Sequence, residues 1–237
     1  MAGLQTILNY SNGLNIDRRK VVGIQYTRNE IPRVSQTPTK NPWKFTLDMP
    51  NRFKYYQARD LMEALDTLDR ITPEIITFSN LPQLSWIFRY QGAMTSGQLA
   101  TITVVSWVGT TLTLNVSGIT AATTAVIFAP NDLIQIGSSN EYPYPFTSTT
   151  QVLRGSGSEV VVTTSRPNIL TPIPPATSLT GEGIIVGNNC QFKMFCPNMP
   201  TYKLIPGGQA MSGSTVINNA LLEFSDAFEL YEFVGTA

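Results

Sequence analysis

Trp43-Lys44-Phe45-Thr46-Leu47-Asp48-Met49-Pro50 decides how this chain is read. Large apolar side chains at 43, 45, 47 and 49 alternate with Lys44, Thr46 and Asp48. That period of two is the signature of a strand with one face on a core and the other toward water. Pro50 cannot donate to a strand ladder and ends it. Immediately beyond, the period changes. Leu61, Leu65 and Leu68, with Tyr55, Ala58 and Ala64, make one apolar stripe, while Arg59, Asp60, Glu63, Asp66 and Asp69 face away, which predicts one amphipathic helix over 53–70 before Pro73.

Outward from this strand–helix pair the chain is mostly strand. Val22, Ile24 and Tyr26 share one strand face, and the Pro-punctuated segment 29–42 reads as an exposed loop. Residues 1–17, with the turn signal Ser11-Asn12-Gly13, read as an arm that a neighbour would order. Strands are predicted at 74–79 and 84–90, the latter with Leu84, Trp86, Phe88 and Tyr90 on one face. From Met94 to Glu182 the composition shifts to Thr, Ser and Gly, and only Asp132, Glu141, Arg154, Glu159 and Arg166 carry charge before Glu182. Short strands at 100–108, 111–116, 133–136 and 159–164 suggest a small β-barrel or sandwich. Pro172, Pro174 and Pro175 read as a stiff exit linker. Alternation then resumes with Cys190, Phe192, Met194 and Cys196 on one face, and with Leu222, Phe224, Phe228 and Leu230 in the closing segment. There the apolar parity passes to Tyr231 and Phe233, which predicts a bulge near Leu230.

The fold class expected is therefore mainly β with a minor α component: an antiparallel β-sandwich or barrel with one flanking α-helix, plus an inserted small β-barrel-like module. The organisation expected is a discontinuous domain, 1–94 with 184–237, interrupted by an insert over 95–183.

Composition narrows the chemistry. Hydrophobic residues make up 42% of the 237, charged residues 14%, and the net charge is zero. This leaves no overall electrostatic attraction for nucleic acid or an anionic membrane. The charge is unevenly spread: residues 1–70 hold eleven Lys/Arg against seven Asp/Glu, and residues 71–237 five against nine. No run of eighteen apolar residues occurs, and the start MAGLQTILNY lacks a basic segment followed by a long apolar one, so neither membrane insertion nor a secretion signal is expected. Cys190 and Cys196 on one extended strand would lie about 20 Å apart, beyond disulfide reach, and read as core residues of a reducing compartment.

Histidine is absent, which removes the usual general base of Ser- or Cys-based catalysis. The carboxylate pairs Asp60/Glu63 and Asp66/Asp69 are spaced to share a site, but the polar face of a helix is their ordinary place. Two cysteines without histidine cannot complete a zinc site. The glycine clusters at 155–157 and 181–187 precede strands rather than helices and lack a following lysine, so they read as turns. No catalytic residue, metal or cofactor is expected, and the chain reads as not an enzyme. Tyr142, Tyr144 and Phe146 alternate with Pro143 and Pro145, which predicts an exposed aromatic ladder in the insert. With Trp107 it suggests stacking on a glycan or on another protein. No Lys or Arg occurs from Tyr90 to Leu153, which argues against nucleic acid.

The order of a Trp43–Met49 strand, a helix at 53–70, and further antiparallel strands closing through 187–193, 200–204 and 224–230 resembles the tail-tube, distal-tail and baseplate-hub proteins of tailed bacteriophages. The resemblance implies a virion structural protein that forms a homo-oligomeric ring, a hexamer, with other tail or baseplate proteins as neighbours, assembled in the host cytoplasm. It implies no membrane and no sequence-specific nucleic acid as partners. Subunit contacts would then use strands bearing Trp43, Phe45, Trp86, Phe88, Phe224 and Phe228, because exposed sheet edges serve as joining surfaces. Glu223, Asp226 and Glu229 would face a lumen through which DNA passes. The alternative is a host-surface carbohydrate-binding module built on Tyr142, Tyr144 and Trp107.

Overall fold

The computed structural model describes residues 3–17, 22–26, 32–36, 42–68, 70, 72–81, 83–137, 143–169, 179–207, 209–212, 215–218 and 220–233. It is mainly β, with several antiparallel sheets and three α-helices: α1 (Gly3–Tyr10), α2 (Arg59–Thr67) and α3 (Ser96–Leu99).

The Lys44–Asp48 strand sits inside a five-stranded antiparallel sheet. Its order is Gly13–Asp17, Lys44–Asp48, Phe228–Glu232, Gln191–Phe195, Glu74–Thr77. Phe45 stands opposite Leu230 and Leu47 opposite Phe228, so the alternating apolar residues of both strands reach the same side. There Trp43, Phe45, Phe78 and Phe192, all buried, and half-buried Phe88 form one aromatic cluster with centroids 4.9–6.3 Å apart, mostly edge to face. Burial of each such ring contributes roughly 1.5–3 kcal/mol. Cys190 and Cys196 flank the Gln191–Phe195 strand as buried, free thiols, in line with their reading as core residues. Burial pushes the thiol of Cys196 up to about 11, and that of Cys190 well above its ordinary value.

The helices differ from the expected single long one. Residues 53–54 are a short strand paired with Leu221–Leu222, 55–57 a 3₁₀ turn, and only Arg59–Thr67 is α-helical. Residues 3–17 of the expected arm 1–17 are also not free. Leu4, Ile7 and Leu8 line one face of α1 at i, i+3, i+4 spacing and are buried against the same core, and Gly13–Asp17 is an outer strand of its sheet. The segment expected as a loop over 29–42 contains the Pro32–Gln36 strand, paired with Val22–Tyr26. Residues 84–90 are no strand: Ser85 N–H donates to Leu81 O, Ile87 to Leu84 O and Arg89 to Trp86 O, a run of turns.

Residues 94–179 supply a second hydrophobic cluster, enclosed by short sheets. Thr103–Val108 and Thr111–Asn115 form the expected hairpin around Gly109, whose φ of +56° is the left-handed turn conformation. Leu133–Ile136, between Phe146–Thr147 and Ile184–Val186, is buried at every position, Gln135 included. The proline linker at 172–175 lies outside the described residues.

Candidate functional site

Because the joining of sheet edges is the chemistry expected, the outer strands are the first places to look. The outer margin at Glu74–Thr77 is sealed by α1. The Gln5 side-chain amide exchanges both bonds with Thr77, Nε2 donating to Thr77 O at 3.1 Å and Oε1 accepting from Thr77 N at 2.9 Å. Glu74 accepts from Leu4 N–H at 2.7 Å, a carboxylate at a helix N-terminus. The margin at Thr103–Val108 is closed as well, by Glu182 O accepting from Val104 N and by Asn168 and Thr180 side chains on the carbonyls of Trp107 and Val105.

Tyr202–Ile205 is different. It is the outer strand of a sheet ordered Tyr202–Ile205, Leu221–Phe224, Phe53–Lys54. Tyr202 pairs with Phe224 and Leu204 with Leu222, so both share the face that carries buried Leu222. Yet Tyr202 and Leu204 stay 42% and 47% exposed, core-facing side chains with nothing laid over them among the described residues. Beside this strand a groove of about 330 Å³ is lined by Leu65, Asp66, Arg70, Met199, Pro200, Thr201 and Tyr202.

The residues expected at subunit contacts separate into two groups. Trp43, Phe45 and Phe228 are buried within this chain's own core, so their side chains are not available to a neighbour. Phe88 is half-buried in the same aromatic cluster, and Phe224 is half-buried among Phe53, Phe228 and Tyr202. Trp86 alone of the six is open, 69% exposed on the 83–88 turns, with its indole N–H on Gln83 O.

The acidic residues do not form one surface. Glu223 and Asp226 border a groove of about 350 Å³ with Asp48, and Glu223 lies 3.7 Å from Arg52. Glu229 sits elsewhere, on the outer face of the five-stranded sheet, where it meets Lys44 Nζ at 2.6 Å and Tyr231 hydroxyl at 2.8 Å. The Lys44 hydrogen bond holds its carboxyl below the ordinary glutamate range. Of the helix carboxylates, Asp60 accepts from the Tyr10 hydroxyl, Asp66 lines the groove beside Arg70, and Asp69 lies outside the described residues. Among the described residues no three His, Cys, Asp or Glu stand close enough to hold a metal ion, and no helix is long and apolar enough to cross a membrane.

Tyr144 and Phe146 of the expected aromatic ladder are not exposed. Tyr144, Phe146 and Trp107 are buried together, with Trp107 4.6 Å from Phe146 and 6.2 Å from Tyr144 between centroids; Tyr142 lies outside the described residues. The prolines at 143 and 145 do not lift the rings into solvent, because Tyr144 has a buried partner that the ladder pattern does not reveal. The Arg166 guanidinium stacks 3.9 Å from its ring centre. Arg166 in turn forms a two-pronged bridge to Glu232, Nη1 to Oε1 at 2.9 Å and Nη2 to Oε2 at 2.7 Å, with side chains 3% and 0% exposed. Glu232 also accepts from Trp43 N–H at 2.8 Å, and Pro145 O accepts from both Arg166 Nη1 and Trp43 Nε1. This cluster was missed by sequence reading because Glu232 lies 66 residues from Arg166 and 189 from Trp43 in the chain.

No protein-family model and no curated protein matches this chain.

Proposed function

We propose that the chain is a self-assembling structural subunit of a phage tail, near the tube end or baseplate, that forms a homo-oligomeric ring, a hexamer, and has no catalytic role. The observation that carries the reading is the outer strand Tyr202–Ile205, whose core-facing Tyr202 and Leu204 remain open, whereas the margins at Glu74–Thr77 and Thr103–Val108 of other sheets are closed by side chains of the same chain. An edge strand with apolar side chains is an aggregation hazard unless another strand pairs with it, and in a ring subunit that strand comes from the next copy. The mainly β fold, with α2 packed on α1, agrees with the resemblance to tail proteins drawn from the order of strands and helix. Other tail or baseplate proteins are the neighbours the reading expects. Electron microscopy of the purified, concentrated chain is the test: closed rings of uniform size are expected, and a compact monomer at every concentration overturns the reading.

A further inference from the structure

The buried side chains fall into two clusters, one built from Leu4 to Leu84 and Cys190 to Leu230 and one from Met94 to Leu179, and the boundary between them is polar. Arg166, Glu232, Gln135 and Asp132 are buried along it. Arg166 and Glu232 bridge it directly, Trp43 and Pro145 bond across it, and Gln135 Oε1 accepts from Gln191 N–H at 2.6 Å. Asp132 accepts from Gln91 N–H at 2.8 Å on the connecting segment. Apolar contact across the boundary comes from Leu133, whose side chain joins the first cluster although its strand belongs to the second, and from Ile185, which leaves its strand toward the first.

Among the described residues, four buried polar side-chain atoms have no hydrogen-bond partner, and three lie at this boundary, Gln135 Nε2, Gln191 Oε1 and Arg166 Nε, while Trp107 Nε1 lies in the second cluster. Interiors rarely leave such atoms unpaired, and the cost falls on the surface where they lie. A boundary with unpaired polar atoms, few apolar teeth and one two-pronged ion pair is held less firmly than either cluster is held within itself.

We infer that this seam is a plane of separation built into the fold: the Arg166–Glu232 bridge seats the second core on the five-stranded sheet, and without it the two cores part while each keeps its own structure. The inference does not rest on the assembly reading. Hydrogen exchange of the full chain, followed peptide by peptide, tests it with Glu232→Gln, which removes one charge of the bridge. Exchange at the seam segments 143–148, 164–167 and 230–233 is expected to rise about tenfold or more. The paired strands Thr111–Asn115 and Glu159–Thr163 in one core, and Gln191–Phe195 and Glu74–Thr77 in the other, keep their wild-type protection. Arg166→Lys, which keeps the charge and loses the fork, serves if Glu232→Gln does not fold, with the same pattern in weaker form. Equal loss of protection throughout both cores, or no change at the seam, overturns the inference.

Discussion

Glu232 occupies a position that its strand reserves for an apolar side chain. Phe228, Leu230 and Glu232 all face inward, so the alternation continues without the bulge that the apolar parity at Tyr231 and Phe233 predicted. A carboxylate at that place survives because Arg166, itself stacked on the Tyr144 ring, and Trp43 N–H hold it, and burial still pushes its pKa above the ordinary glutamate range. Breaking a buried pair leaves one charge uncompensated. Glu232→Gln or Arg166→Met is therefore expected to cost about 3–5 kcal/mol at the seam, read as an earlier first step in denaturant unfolding while the unfolding of each core itself is unchanged. A single transition shifted as a whole contradicts this. Glu229 makes the opposite case on the solvent face. Its pKa is lowered in the folded state by Lys44, so it stabilises the fold above the unfolded glutamate value and that contribution is lost as pH falls through the folded pKa. Glu229→Gln is expected to flatten the acid limb of the stability profile below the ordinary glutamate pKa of 4.5 and to leave its slope near neutrality unchanged, because both forms of Glu229 are fully ionised there.

Elements were legible where one mechanism dominated. The strand at 44–48 follows from alternation alone, since one face is buried and the other wet. The hairpin around Gly109 follows from its turn residue. The run 84–90 alternates just as clearly and is not a strand: buried Leu84 and half-buried Phe88 are placed four residues apart by successive turns, with Trp86 between them turned outward, and residues i and i+4 share a face in a strand and in a helical turn alike. Helix α2 came out shorter than predicted because Phe53 and Lys54 pair with Leu221 and Leu222, a tertiary ladder that the local period does not contain. The short helix α3 was readable and overlooked, since Thr95 and Gln98 form a capping box three residues apart. Gly187 shows an element fixed by backbone geometry. Its φ is +71°, and an added Cβ would stand 3.0 Å from Tyr90 N and 3.1 Å from Phe88 O. Gly187→Ala is expected to destabilise by at least about 1–2 kcal/mol from the left-handed backbone alone. In calorimetry that is a fall of about 2–4 °C in Tm per kcal/mol; an unchanged Tm contradicts the assignment.

At the scale of the whole molecule, the β-rich class was legible from composition and alternation, because both register in every segment. The candidate contact residues were not. Large aromatic side chains mark both cores and interfaces, and Trp43, Phe45 and Phe228 went to the core while Trp86 stayed outside. Nor could the sequence show which strand is outermost, since that depends on pairings such as Gln5 with Thr77, 72 residues apart. Tyr202–Ile205 is an outer strand whose core-facing side chains stay open, and the account of this chain as an assembling subunit turns on it. Sedimentation or light scattering of the purified full chain beside its Tyr202→Lys, Leu204→Lys variant is the most direct measurement. The account predicts a wild type of several subunits and a folded, monomeric variant, because two charges on an edge strand oppose pairing. Equal masses for the two proteins would contradict it.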